Sequence, residues 1–462
     1  MNRYITLILS LSFLGFINAQ EQKPQSFLKY NETIDSLMQI SYDRGIFNGN
    51  VLVTRNDSLV YQKSFGYIDG SGQTKLSKKS IFNIGSISKE FNAVSIVMLI
   101  EKGILKFDDK LSQFGLGLPA WSEKVTIKHL LNYVSGIPQI DYDNVKNEKG
   151  ILEDLQLLPN LLFEPGTKYN YNNNSIFLQK RIIENVTKKT YQEFVTENII
   201  TPLKMKNVVF DPDLDYPNKT RCFDVDKISC EEISSNKDRL WVSINDLNKW
   251  ITALHNNKLI SRASLELLLK NQYFKNKESS LGVSQNAFSL HLHGGQSWQF
   301  EAAFMSELKN DLNIILMSNN KSKGFEIIQS MHKIMKGKSF NLPKKSIYRQ
   351  IRNKCLENID LGIRHYYDLK KDNLDIYDFA NPKELNGLGY DLLAEKKIIE
   401  SIKIFKLAVS EFPDNSKLYN SLAEVYHTNK QYELALLNYK KSLELNPKNT
   451  NAEEMINKIQ KK

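Results

Sequence analysis

Apolar positions along this chain change their spacing several times, and each change marks an element. Around YNETIDSLMQISYDRG the spacing suits an amphipathic helix. The stretch GNVLVTRNDSLVYQKSFGYID then alternates in two runs separated by Asn56 and Asp57, the pattern of a β-hairpin that opens a sheet. Residues 86 to 105 return to helical spacing, with Phe91, Val94, Val97, Met98 and Glu101 expected along one side and Gly103 near the end. From about residue 110 to 270 the pattern is mainly helical, broken by LPAWSEKVT, SGIPQID, FEPGTKYNYNNN and FDPDLDYPNKT. Strand character resumes in NAFSLHLHGG, FEAAFMSEL and LNIILMSNN. Helices in the middle and strands at both ends predict an α+β domain, its sheet assembled from distant parts of the chain.

The C-terminal region repeats itself. Leu385 pairs with Tyr419, Leu388 with Leu422, Gly389 with Ala423, Phe405 with Tyr439 and Pro413 with Pro447, each pair 34 residues apart. That period and order of small, large and proline positions resembles tetratricopeptide repeats, antiparallel helix pairs that stack into a superhelix. The expected division is a repeat region 384–462, with repeats 384–415 and 416–449 and NAEEMINKIQKK as a capping helix. Two repeats are fewer than the three a free-standing stack needs, so the helical linker 341–383 is expected to add a helix or to dock the repeats on the first domain.

Composition narrows the class. A chain of 462 residues with 41% hydrophobic and 25% charged residues is globular and too long for one ordinary core. Residues 1–19 carry Arg3, an apolar run from Ile5 to Ile17 and a small residue, Ala19, at a cleavage position. This is the layout of a secretory signal and is too short to span a bilayer. The mature chain is therefore expected to be exported, to the periplasm or outside the cell, with no transmembrane segment. Its three cysteines lack metal-ligand spacing. Cys222 and Cys230 either pair in an oxidising compartment, leaving Cys355 over, or remain buried thiols. A net charge of +10 permits attraction to anionic surfaces, but the lysines read as an ordinary solvated surface spread along the chain, and no arginine-rich or aromatic-interleaved patch points to nucleic acid.

Three short segments carry candidate chemistry. S-x-x-K occurs six times, yet only Ser86-x-x-Lys89 follows a glycine at a strand-to-helix junction. Residues three apart on a helix lie about 5 to 6 Å apart at Cβ, so Lys89 can reach the Ser86 hydroxyl. The positive helix end and partial burial both disfavour an ammonium, which moves Lys89 toward a proton acceptor. The competing reading is an N-cap serine with a solvated lysine. Y-x-N occurs at Tyr142, Tyr171 and Tyr216; Tyr171 alone sits between the Pro165–Gly166 turn and a helix. A phenol near a lysine is pushed toward phenolate and can serve as base and then acid, and Asn173 can pair with a substrate amide. In SLHLHGGQSWQF the strand runs into His293, Gly294 and Gly295, where missing side chains let a substrate or another backbone lie close. His293 is expected beside Tyr171 as a proton-sharing group. His291 is expected to face the other way, and the N–H of Gln296 to form an oxyanion hole with that of Ser86.

Taken in order, Ser86-x-x-Lys89, Tyr171-x-Asn173 and His293-Gly294-Gly295 resemble the serine β-lactamase and penicillin-binding-protein family, nearest its class C β-lactamase, esterase and D-peptidase branch. VTIKHLLNYVSGIP, ITPLKMKNVVF and LWVSINDLNKWITAL look like connecting segments of that branch. The resemblance implies an antiparallel sheet flanked by helices with a helical insert over residues 20–340, no metal and no cofactor. It implies acyl transfer through Ser86, with Lys89, Tyr171 and His293 at the catalytic centre and Asn173, Gly294 and Gly295 holding a small-molecule or peptide substrate. Where many members have a lysine, this chain has His293, a weaker anchor for a substrate carboxylate, which favours an ester or a D-amino-acid peptide over a β-lactam. The alternative is a catalytically idle relative, its cleft and repeats serving as an envelope scaffold for a protein partner.

Overall fold

The protein is described from a computed structural model covering residues 25–224, 227–230, 239–275, 277–285 and 289–461, so the expected signal falls outside the described residues. Nine strands are described: β1 (Gly49–Arg55), β2 (Ser58–Phe65), β3 (Ile81–Asn83), β4 (Val208–Phe210), β5 (Leu240–Ser243), β6 (Val283–Gln285), β7 (Leu290–Ser297), β8 (Phe300–Glu307) and β9 (Leu312–Ser318). The main sheet is antiparallel in the order β2-β1-β9-β8-β7-β6, so the N-terminal hairpin pairs with the last strand of the domain. Asn56 and Asp57 turn that hairpin with φ of +50° and +58°, the left-handed pair a two-residue primed turn requires.

Both faces of this sheet are covered, and the two-residue period sorts its side chains. Phe300, Ala302, Phe304, Ile315 and Met317 enter one core, which contains the helix Ser88–Glu101. Ala303, Met305, Ile314 and Leu316 enter a second, beneath the helices Gln25–Asp43 and Gly324–Met335. Double burial is why β8 and β9 read as unbroken apolar runs.

The helix Ser88–Glu101 differs from its expected one-sided stripe: Lys89 through Leu99 are all buried, so it is a core helix covered all round. The stretch read as mainly helical also hides β4 and β5, which form a second sheet with β3 in the order β3-β5-β4. Strands of three or four residues are too short to show a period.

At the C-terminus the helices Pro382–Ala394 and Ser416–Thr428 start 34 residues apart, as do Ile398–Glu411 and Tyr432–Leu445. Gly389 is what lets the first pair close, since a Cβ there would stand 2.5 Å from the Phe405 ring. The helices Ile347–Glu357 and Ile359–Asp372 share a core with Leu385, Leu388 and Ile404, which supplies the layer that two repeats lack. Lys323 pairs with Asp378 at 2.9 Å, and Arg44 donates to the Pro343 carbonyl at 2.8 Å, joining this region to the sheet domain. Cys222 and Cys355 are buried, and the Cys230 N–H donates to the Cys222 carbonyl at 3.0 Å. Among the described residues no helix is long and apolar enough to cross a membrane.

Candidate active site

β3 ends at Asn83, and the chain turns through a short 3-10 segment, Gly85–Ile87, directly into the helix Ser88–Glu101. The Asn83 side chain accepts from the Gly85 N–H at 2.9 Å, and Ser88 Oγ donates to the Gly85 carbonyl at 2.6 Å. Ser86 makes no capping hydrogen bond. Gly85 has φ +51°, and a Cβ on it would stand 2.6 Å from the Gln296 nitrogen; one on Gly295 would meet the Ile84 carbonyl oxygen at 1.9 Å and the Ser86 nitrogen at 2.7 Å. Two glycines thus bring the turn and β7 into backbone contact, with the amides of Ser86 and Gln296 at that junction. The open side of Gly294 is taken by the ring of Phe325, which a Cβ would meet at 2.3 Å.

The Ser86 hydroxyl lies between two groups. Lys89 Nζ donates to Ser86 Oγ at 2.9 Å, and Ser86 Oγ and Tyr171 Oη are 2.8 Å apart. Burial lowers the Lys89 ammonium to about 8, with Glu278 opposing. Burial raises Tyr171 to about 12; its hydrogen bond with Ser86 opposes this and Glu278 adds to it. This corrects the expected phenolate: the phenol stays protonated at neutral pH, and Lys89 is the group shifted toward its neutral form. Tyr133, fully buried, packs on the Tyr171 ring at 4.7 Å and fixes its position.

These groups line a cavity of about 570 Å³. Asn173 lies in its wall with its side-chain nitrogen donating to the Tyr142 hydroxyl at 2.7 Å. Tyr142 begins one of the other Y-x-N triplets, so a residue set aside on sequence grounds stands at the mouth of the site. Gln296 is exposed and reaches the same cavity.

His293 does not join this group. It is buried, its Nδ1 is 2.7 Å from Glu90 Oε1, and it lies outside the cavity lining. His291, expected on the opposite face, is 3.4 Å from the same carboxylate oxygen, because residues two apart on a strand share a face. Trp250 Nε1 donates to Glu90 Oε2 at 2.7 Å, while His291 Nε2 donates to the Leu281 carbonyl at 2.7 Å and its Nδ1 meets His255 Nε2 at 2.9 Å. Burial alone would raise the Glu90 carboxyl; hydrogen bonds from His291 and His293 outweigh it and hold the group down to about 2. Sequence reasoning missed Glu90 entirely, although it follows Lys89 directly.

A serine at a strand-to-helix turn, held between a lysine one turn on and a loop tyrosine, on an antiparallel sheet with helices on both faces, is the β-lactamase-like class of serine hydrolase. The sequence matches the β-lactamase family over residues 30–326, and the chain belongs to that family; residues 416–449 match the tetratricopeptide repeat. It is 26% identical to protein flp of Staphylococcus aureus strain MW2 over 63% of this chain and 64% of that one. It is 32% identical to penicillin-binding protein 4* of Bacillus subtilis strain 168 over 37% of this chain and 40% of that one. The matches therefore span less than two thirds of the length of these relatives. A class C β-lactamase superposes with a TM-score of 0.60 at 16% identity, over 69% of this chain and 99% of the other, which is a likeness of fold.

Proposed function

We propose that the protein is an exported serine hydrolase that forms an acyl-enzyme on Ser86, acting on an ester or a D-amino-acid peptide in preference to a β-lactam. The observation that carries this is the Ser86 hydroxyl within 2.9 Å of Lys89 Nζ and 2.8 Å of Tyr171 Oη. In its neutral form Lys89 takes the hydroxyl proton as Oγ attacks the carbonyl carbon. The amides of Ser86 and Gln296 receive the charge that develops on the carbonyl oxygen. Tyr171, protonated and touching Oγ, is placed to pass a proton to the leaving oxygen or nitrogen; the attacking water then gives a proton to the Tyr171 phenolate, and the Lys89 ammonium returns its proton to Oγ as the acyl bond to Ser86 breaks. Asn173 and the Gly294–Gly295 edge line the substrate's path, and His293 acts through the position of β7. We assign residues 20–340 to catalysis, 341–383 to a helical linker and 384–462 to protein binding.

A fluorophosphonate probe is expected to label the protein at Ser86, located by peptide mass, and to leave Ser86→Ala unlabelled. A protein that no acylating probe labels would instead be the idle scaffold. The pH dependence follows from Lys89: only the neutral amine accepts a proton, so the acylation rate should climb as pH rises through about 8 and level off above it. A rate already flat from pH 6 to 9 would remove Lys89 as the base.

A further inference from the structure

A second cavity, of about 470 Å³, opens beside the first and shares Gln296 with it. Its walls come from the sheet domain and from the linker and first repeat helix, with Lys321 and Lys323 on one side and Lys344, Lys345 and Arg349 on the other. Seven of its 18 described lining residues are lysine or arginine, against 62 of 462 in the whole chain. The lysines that look scattered in sequence are thus gathered by the fold. Among the described lining residues two are acidic, and both are engaged: Asp224 accepts from the Ile228 N–H at 2.9 Å, and Glu384 from the Tyr348 N–H at 3.0 Å and from the Ser346 hydroxyl.

Three of the cations serve the structure. Lys323 is paired with Asp378, and Arg44 and Lys344 donate to carbonyls of Pro343 and Leu374. The other four form no ion pair with a carboxylate among the described residues, although the charge of Lys321 acts on the buried Glu301. Lys227 and Lys345 lie over the rings of Phe223 and Tyr377, at 4.7 and 5.5 Å, and Lys321 and Arg349 stand in no ion pair. Like charges crowded into a concave site repel one another, an arrangement that an anion relieves. The catalytic cavity has the same bias, with Lys89, Lys146, Lys180 and Arg239 against Glu148.

Resting on the hydrolase reading, we propose that the substrate continues past its scissile bond as an anionic chain, and that this cleft binds its phosphate or carboxylate groups. Gln296 is the junction: a chain acylating Ser86 at one cavity passes this residue to enter the other.

The test uses full-length Ser86→Ala protein and fluorescent oligomers: a hexaphosphate, hexaglutamate and, as the neutral reference, hexaglutamine. The anionic oligomers should bind more tightly than hexaglutamine, and the stronger of the two identifies the group. Adding Lys321→Glu with Arg349→Glu should weaken that binding about tenfold or more. Lys78→Glu with Lys79→Glu, an exposed pair with the same change in net charge, should weaken it less than twofold. Saturating anionic oligomer should also slow fluorophosphonate labelling of Ser86 in the parent protein. Equal weakening by the two double variants, no preference over hexaglutamine, or an unaltered labelling rate would each overturn the proposal. Labelling of Ser86 without anion preference removes only the cleft assignment, whereas anion binding without labelling removes only the hydrolase reading.

Discussion

Replacing Lys89 by methionine is expected to slow acylation of Ser86 by about 10³-fold, measured as single-turnover labelling, within the range of about 10² to 10⁴ that a general base contributes. Methionine keeps the buried volume and removes the proton acceptor. Tyr171 cannot take over at neutral pH, because its phenol is raised to about 12. Stability moves the other way. The folded Lys89 is lowered from 10.5 to about 8, so at pH 7 the native state carries a buried ammonium at a cost on the order of 3 kcal/mol. Lys89→Met should therefore melt no lower than the parent at pH 7. The sign fixes the window: the parent's penalty is complete below pH 8 and fades toward pH 10.5, so the two melting curves should converge over that interval. A slowed but less stable variant would mean that Lys89 holds the turn in place and that the lost rate reflects disorder. An undiminished rate would assign the base to another group.

The parts of this site that could be read from the chain are those set by local geometry. Ser86 and Lys89 are three residues apart at a turn into a helix, and the 2.9 Å contact is what that spacing delivers. Tyr171 was distinguished from Tyr142 and Tyr216 by the turn before it and the helix after it. What could not be read depends on contacts across long stretches of chain. Glu90 sits in a helix that also carries Lys89, Asn92, Ser95 and Glu101, and a charged residue there ordinarily faces solvent; its partners Trp250 and His293 lie 160 and 203 residues away. The basic cleft is hidden for the same reason, since its cations come from distant segments that only the docked linker brings together. His291 lies with His293 at Glu90 and not on the opposite face, because residues two apart on a strand share a face. The direction of the Tyr171 shift needed the burial around its hydroxyl, which spacing along the chain does not report.

Glu90→Leu is expected to destabilise the domain by about 3 to 5 kcal/mol, the cost of breaking one side of a buried charged cluster, with a fall in melting temperature of about 10 °C. Leucine fills the space but leaves the Trp250 N–H and the His293 ring without their acceptor in a dry core, and removes the charge beside His291. The loss should reach catalysis as well, because Glu90 ties the nucleophile's helix to β7, the strand that carries Gln296 to the junction with Ser86. A lower kcat with KM little changed, in protein still folded at 20 °C, is the expected signature. Acid lability gives an independent reading. Glu90 falls from 4.5 unfolded to about 2 folded, so its contribution is complete above pH 4.5 and disappears toward pH 2. His255, lowered by burial and the neighbouring His291 to about 3, adds a loss of the same sign that begins earlier, as pH falls through 6.5 toward 3. The parent should therefore lose stability in two overlapping stages on acidification, and Glu90→Leu should retain only the first. Melting curves of the two proteins that fall in parallel from pH 7 to pH 2 would show that the carboxylate is not the anchor of the cluster, and the tie between helix and strand would have to be sought in the Gly85–Gly295 backbone contact alone.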